Sequence, residues 1–281
     1  MDWFIAYIAI PVAYIFAGGF VIIFAKLVKD WTTSYSLHAE LAERDNPALA
    51  VAVAGYLLGV VAIFIGALLG PSKGFFLDIL LVCGYSFYGV ILLNLSRWIN
   101  DRFILYQFCN RKEIIEDQNS GTGAVVFASY LASGLIVGGS VQGTGGGLHT
   151  AFVFYLLGQI VMIVFTRIYE RIIPFKVHDE IERDNVAAGV AFAGAMLAIG
   201  IVLMGACSGN FISWGYNLLK FATESVALFL LLPLVRYCFD RFVFSKVDLN
   251  QEISQDKNLA AGFLEASGMV AFALIFMAAL L

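Results

Sequence analysis

Charge is what this 281-residue chain has least of: Asp, Glu, Lys and Arg together make up 14% of it, against about a quarter of a soluble domain. That deficit excludes an ordinary water-facing surface. Histidine is scarcer still, with His38, His149 and His178 alone. No HExxH and no Ser-His pairing occurs, so no enzyme site is expected. His38-Ala-Glu40 and His178-Asp-Glu180 put imidazole beside carboxylate, but neither matches a metal-ligand spacing. Both read as solvated charged loops, and neither a metal nor a cofactor is expected. The four cysteines, Cys83, Cys109, Cys207 and Cys238, form no CxxC pair and read as free thiols rather than a zinc site or a disulfide framework. The glycine-rich stretch from Gly138 to Gly147 lacks the GK[ST] of a phosphate cradle. Missing too is any basic, aromatic-rich arm for nucleic acid. Met1-Asp2 carries no basic residue ahead of the first apolar run, so that run is expected to be a membrane helix rather than a cleaved signal. Among the five prolines, Pro11 and Pro233 fall inside apolar runs, where they should kink the helix.

What is abundant is apolar surface, at 60% of residues, and it comes in runs of about 20 residues. Runs of that length cross a bilayer as helices. Eight spans are expected, over 4–27, 48–69, 76–97, 121–141, 151–169, 187–207, 214–237 and 260–280. The loops after even spans are short and nearly uncharged. Those after odd spans carry every one of the 17 Lys and Arg, in or beside them, except Lys73 and Lys220. Positive charge stays on the cytoplasmic side, so both termini face outward. Trp3 and Trp214 then flank outer ends, and Trp31 and Trp98 inner ends, at the headgroup level that such rings prefer.

The strongest signal is internal repetition. Four acidic stretches, each ending in asparagine, precede the even spans: Glu40-Leu-Ala-Glu43-Arg-Asp45-Asn46, Glu113-Ile-Ile-Glu116-Asp-Gln-Asn119, Asp179-Glu-Ile-Glu182-Arg-Asp184-Asn185 and Glu252-Ile-Ser-Gln255-Asp-Lys-Asn258. Asn46 and Asn185, like Asn119 and Asn258, are 139 residues apart. The same offset relates Arg97-Trp-Ile-Asn-Asp101-Arg102-Phe103 to Arg236-Tyr-Cys-Phe-Asp240-Arg241-Phe242, and Gly55 to Gly194. The chain is thus a direct duplication, with domains expected at 1–142 and 143–281 and a weaker two-helix repeat inside each. A four-helix unit starts and ends on one side, so the halves are parallel, with a pseudo-twofold axis expected along the membrane normal. The expected fold is an all-α membrane protein of eight transmembrane helices in two parallel four-helix repeats.

Asn185-Val-Ala-Ala-Gly189-Val-Ala-Phe-Ala-Gly194 and Asn258-Leu-Ala-Ala-Gly262, with looser versions at Asn46 and Asn119, lead into helices crowded with small residues. A tandem of four-helix units with this entry resembles the YjfL-like bacterial inner-membrane family. The resemblance spans nearly the whole chain and implies a multi-pass protein of the bacterial inner membrane. The family's function is unknown, and it brings no catalytic residues.

Two readings stand for the acidic-asparagine entries. Asn46, Asn119, Asn185 and Asn258 suit N-caps, with acids complementing the positive helix end. If the four hairpins surround one axis, Glu43, Glu116 and Glu182 would also ring a cytoplasmic mouth that attracts cations. The small-residue pairs Gly55 and Gly59, Gly134 and Gly138, and Ala191 and Ala195 read as packing seams within the chain or between copies.

Charge within the spans is the best pointer to activity, because each such group needs a partner or a wet cavity. Lys220 and Glu224 share a face of span 7, Glu265 lies two turns into span 8, and Asp78 opens span 3. Their first-half counterparts are uncharged: Glu224 maps to Tyr85 and Glu265 to Val126. These charges form either structural ion pairs or a path. The leading expectation is a permeation protein for cations, protons or small solutes, with Glu224 and Glu265 protonatable and Lys220 the counter-ion. The rival is a non-transporting component that forms a homo-oligomer in the lipid bilayer and docks a cytoplasmic protein partner on its charged loops.

Overall fold

The structure, a computed structural model, describes residues 5–243 and 247–280; Trp3, Phe4 and Lys246 lie outside the described residues. It contains eight long helices: α1 Ile10–Thr32, α2 Pro47–Leu68, α3 Phe75–Ile99, α4 Ser120–Val141, α5 Leu148–Ile172, α6 Val186–Cys207, α7 Trp214–Cys238 and α8 Leu259–Leu280. No strand occurs among the described residues. All eight are long and apolar enough to cross a membrane. Each even helix has 22 residues, or about 33 Å at the α-helical rise, which matches the hydrocarbon thickness.

The odd helices extend beyond their apolar runs at the charged end. α1 continues to Thr32, because Lys29 is buried there rather than solvated. π-helical turns follow α3 at Asn100–Ile104 and α7 at Phe239–Val243, at matching places in the two halves. A third π turn, Ile5–Ala9, precedes α1. Pro11 is the second residue of α1, but the helical stretch runs on unbroken from that turn, so Pro11 lies inside the first span. The π turn sits where the missing N–H of Pro11 interrupts the hydrogen-bond ladder. Pro233 lies inside α7.

The even helices stand in a row, α2 against α4, α4 against α6, and α6 against α8. α1, α3, α5 and α7 form a second layer over one face of that row. Each of α3, α5 and α7 lies mainly over the even helix of the preceding hairpin. α4 and α6, inside the row, are buried almost all round, whereas α8 at its end is largely exposed. The two halves run parallel, but the hairpins form an open row and do not surround a shared axis.

Lipid tails are as apolar as leucine, so the row cannot be driven together by hydrophobic burial alone; it depends on close backbone approach. A Cβ on Gly123, Gly189 or Gly262 would stand 2.5, 2.6 and 2.5 Å from the carbonyl oxygens of Ala48, Gly121 and Ala187. Glycine is required at these crossings because no side-chain atom fits. Large apolar residues are turned outward instead, among them Phe16, Phe76, Leu230 and Ile275. The uncovered face of the row carries an apolar cavity of about 490 Å³, bordered by Ala124, Val190, Leu197 and Phe263.

Candidate functional site

The four acidic-asparagine entries fold alike. A short turn, at Ala39–Glu43, Asn110–Ile115, Val177–Glu182 and Leu249–Ser254, precedes each even helix. The residue before each asparagine (Asp45, Gln118, Asp184 and Lys257) is in the left-handed region, with φ of 51°, 52°, 58° and 49°. That reversal aims the asparagine back at the helix start. Asn46 Oδ1 accepts from Leu49 N at 3.0 Å, Asn119 Oδ1 from Thr122 N at 3.0 Å, and Asn185 Oδ1 from Ala188 N at 3.1 Å. Asn258 Oδ1 accepts from Ala260 N at 3.0 Å.

The side-chain amides do more than cap. Asn46 Nδ2 donates to the Ile114 carbonyl at 2.8 Å, Asn119 Nδ2 to Ile181 at 2.6 Å, and Asn185 Nδ2 to Ile253 at 2.8 Å. Each asparagine thus ties its own hairpin to the next. The carboxylates that join this ladder are Glu40, Glu113, Glu180 and Glu252, which accept from the same amides at 3.4, 2.9, 2.9 and 2.7 Å. Glu43, Glu116 and Glu182 are exposed on the far side of each turn. Because the hairpins form a row, these three acids do not ring a common mouth. Burial pushes the Glu113 carboxyl above the usual range, and outweighs the Asn119 hydrogen bond that favours its charged form.

The embedded charges of the second half form two clusters along α7. Toward the uncharged end, Lys220 Nζ donates to the carbonyls of Gly205 and Ser208 at the α6 C-terminus, at 3.1 and 3.2 Å. It sits 4.0 Å from Glu224 Oε1. A cation at a helix C-terminus meets the negative end of the dipole. Toward the charged end, Glu265 is 1% exposed. Its Oε1 accepts from Arg236 Nε at 2.7 Å and from Tyr169 Oη at 3.4 Å, and Arg236 Nη2 donates to Asn250 Oδ1 at 2.8 Å. The other oxygens, Glu224 Oε2 and Glu265 Oε2, are buried with no hydrogen-bond partner. The clusters share the buried face of α7, about 18 Å apart by helical rise, with buried Leu228 and Leu232 between them. Asp78 belongs to neither. It lies at the opening of α3, accepts from Ser72 Oγ at 2.5 Å and Lys73 N at 2.7 Å, and borders a cavity of about 450 Å³ with Tyr14 and Tyr85.

Several polar groups in the interior carry no sequence signature. Buried Lys29 donates to Tyr130 Oη and lies over the rings of Tyr56 and Tyr130, at 4.9 and 4.4 Å from their centroids. This aromatic cage takes the place of a carboxylate. Lys29, Arg97 and Asp101 border a void of about 30 Å³ beside Val126, the first-half counterpart of Glu265. Gln159 Nε2 donates to Ser133 Oγ at 2.8 Å deep between α4 and α5. His178, expected in a solvated loop, is fully buried: Nδ1 meets Glu170 and Nε2 meets the Ile104 carbonyl at 2.6 Å. His38 is exposed. Only a count of aromatic positions one turn apart on neighbouring helices could have hinted at the Lys29 cage.

Comparison with known proteins agrees with the duplication. The family profile described as Domain of Unknown Function (DUF350) matches twice, over 4–141 and 144–280. A UPF0719 transmembrane protein of Aquifex aeolicus (strain VF5) is 24% identical over 265 residues, covering 92% of this chain and 96% of that one. The UPF0719 transmembrane protein YshE of Bacillus subtilis (strain 168) is 28% identical over 111 residues, 40% of this chain and 78% of that one, so that relative is about one repeat long. These matches carry the names DUF350 and UPF0719 and not the YjfL-like name. They share with that resemblance a bacterial multi-pass membrane protein in a family of unknown function. No solved structure matches.

Proposed function

The chain belongs to the DUF350 family, and from that premise of a bacterial multi-pass membrane protein we propose that it passes protons or small cations through its second half. Glu224 and Glu265 are the exchanging groups in this reading, and Lys220 and Arg236 hold them in place. The observation that carries it is the pair of buried carboxylate oxygens, Glu224 Oε2 and Glu265 Oε2, each without a partner. An unsatisfied carboxylate oxygen in a bilayer interior is costly, and a proton, a water or a cation removes the cost. Leu228 and Leu232 form an apolar barrier between the two acids, of the kind that gates by excluding water. The protein is no enzyme in this reading.

Purified protein in proteoliposomes tests it. Glu224→Gln and Glu265→Gln should each abolish proton or monovalent-cation flux while the protein stays monodisperse. If both variants conduct like the parent for every cation tried, the reading is lost. A second reading, a non-transporting component that docks cytoplasmic partners on its charged turns, is favoured by the closed Leu228–Leu232 barrier. It expects both glutamine variants to be silent, and substitutions in 31–45 and 104–118 to abolish partner capture.

A further inference from the structure

The even-helix row is built on one register, repeated three times. Counting from each capping asparagine, the positions facing the next helix are the second, ninth, thirteenth and twentieth. They are Ala48, Gly55, Gly59 and Gly66 on α2; Gly121, Ala128, Ala132 and Gly139 on α4; and Ala187, Gly194, Ala198 and Gly205 on α6. These residues meet the following helix at backbone distance: Ala48 at Gly123, Gly121 at Gly189 and Ala187 at Gly262. The central seam, α4 on α6, joins the two halves, and it has the same register as the two seams inside the halves.

α8 has no following helix in this chain, yet it keeps the same pattern. Its four corresponding residues are Ala260, Ser267, Ala271 and Ala278, all small and all exposed. Elsewhere its outward positions hold Leu259, Phe263, Leu274 and Ile275. A helix that met only lipid on that side would have no use for a small-residue seam there. The hydrogen-bond ladder is open at the same two ends. Asn258 Nδ2 is bonded to its own Glu252 and, unlike its three counterparts, reaches no carbonyl of a following turn. At the other end Leu41, the counterpart of Ile114 and Ile253, receives no asparagine.

We infer that the exposed edge of α8 docks on the exposed edge of α2 of a second copy of this chain, head to tail, continuing the row. The receiving edge is present. Ala50 and Ala54, which match Gly123 and Phe127 of α4, are exposed. Asn258 of one copy then bonds the Leu41 carbonyl of its neighbour. Ala50 stands where the internal seams have glycine, and Val61 where they have Gly134, Gly200 and Ala273, so the seam between copies is wider at both turns than the seams within one. The contact is heterologous: it uses two different edges, leaves a free edge at each end, and builds rings or longer arrays rather than closed dimers. The existence of a relative about one repeat long accords with a seam that works between separate chains. This inference is independent of whether the second half conducts.

Cysteine cross-linking in native membranes decides it. The internal pair Gly194 and Ala266, in direct contact across α6 and α8, corresponds between copies to Ser267 and Ala54. In a chain whose four native cysteines are replaced by alanine, A54C/S267C should oxidise to a ladder of dimers, trimers and larger species. A54C and S267C co-expressed on separate chains should stop at a dimer, and neither single variant alone should cross-link. Ala271→Trp, at an exposed position, should remove the ladder without changing expression or melting temperature. Dimers from S267C alone, a double variant that stays monomeric, or a ladder unaffected by Ala271→Trp would each overturn the inference.

Discussion

At the scale of single residues, asparagine does the most with the least. Asn46, Asn119 and Asn185 each satisfy a free N–H of their own helix and a carbonyl of the next hairpin. Asn258 caps without bridging. Alanine at a cap costs about 1 kcal/mol, and stranding a buried carbonyl adds about 1–3 kcal/mol. Asn185→Ala, which strands the Ile253 carbonyl, should therefore lower the melting temperature of the detergent-solubilised protein clearly more than Asn258→Ala; equal losses would mean that the bridge is energetically idle. The capping role was legible from the asparagine before each small-residue helix. Which glutamate joins it was not. Glu43 and Glu40 lie in one turn three residues apart, and the left-handed residue before each asparagine turns the earlier acid inward and the later one out. That reversal sits on Asp45, Gln118, Asp184 and Lys257, an acid in the first repeat position of each half but an amide and a base in the second, so no single residue type marks it.

At the scale of helices, small residues decide what touches what. A Cβ on Gly134 would stand against the backbone of Gly59, with the carbonyl carbon at 2.7 Å, so Gly134→Leu must push α2 and α4 apart. It should prevent folded protein from accumulating in the membrane. Gly84, on α3, has nothing within 4 Å of an added Cβ. Gly84→Leu should be tolerated, and somewhat stabilising through helix propensity. Comparing the yields of monodisperse protein checks both, and similar yields for the two variants would refute the seam. Helix existence and number were readable because a bilayer demands about 20 apolar residues per span. Helix ends were less so: α1 runs on to Thr32 because the cage of Tyr56 and Tyr130 lets Lys29 stay inside, and hydropathy has no knowledge of a cage.

At the scale of the whole molecule, parity and charge set the orientation. Eight helices put both ends on one side, and the clustered Lys and Arg predict that this side is outside. A phosphatase fused after residue 280 should be active in intact cells, and one inserted in the 110–115 turn silent. The opposite pattern would reverse the orientation of every site described above.

The sequence alone determined eight parallel-duplicated spans, their charged ends and their capped entries, because each of these depends on local composition and on a repeat that can be counted. Whether the hairpins closed round an axis or stood in a row was settled by the tertiary structure. A small-residue stripe shows that a neighbour comes close, whereas the angle between successive stripes, which sets ring or row, is fixed by the packed backbones. The same holds for the embedded acids. Sequence placed Glu224 and Glu265 in the bilayer, and the fold separated them by two leucines, gave one to Arg236 and left each with a bare oxygen.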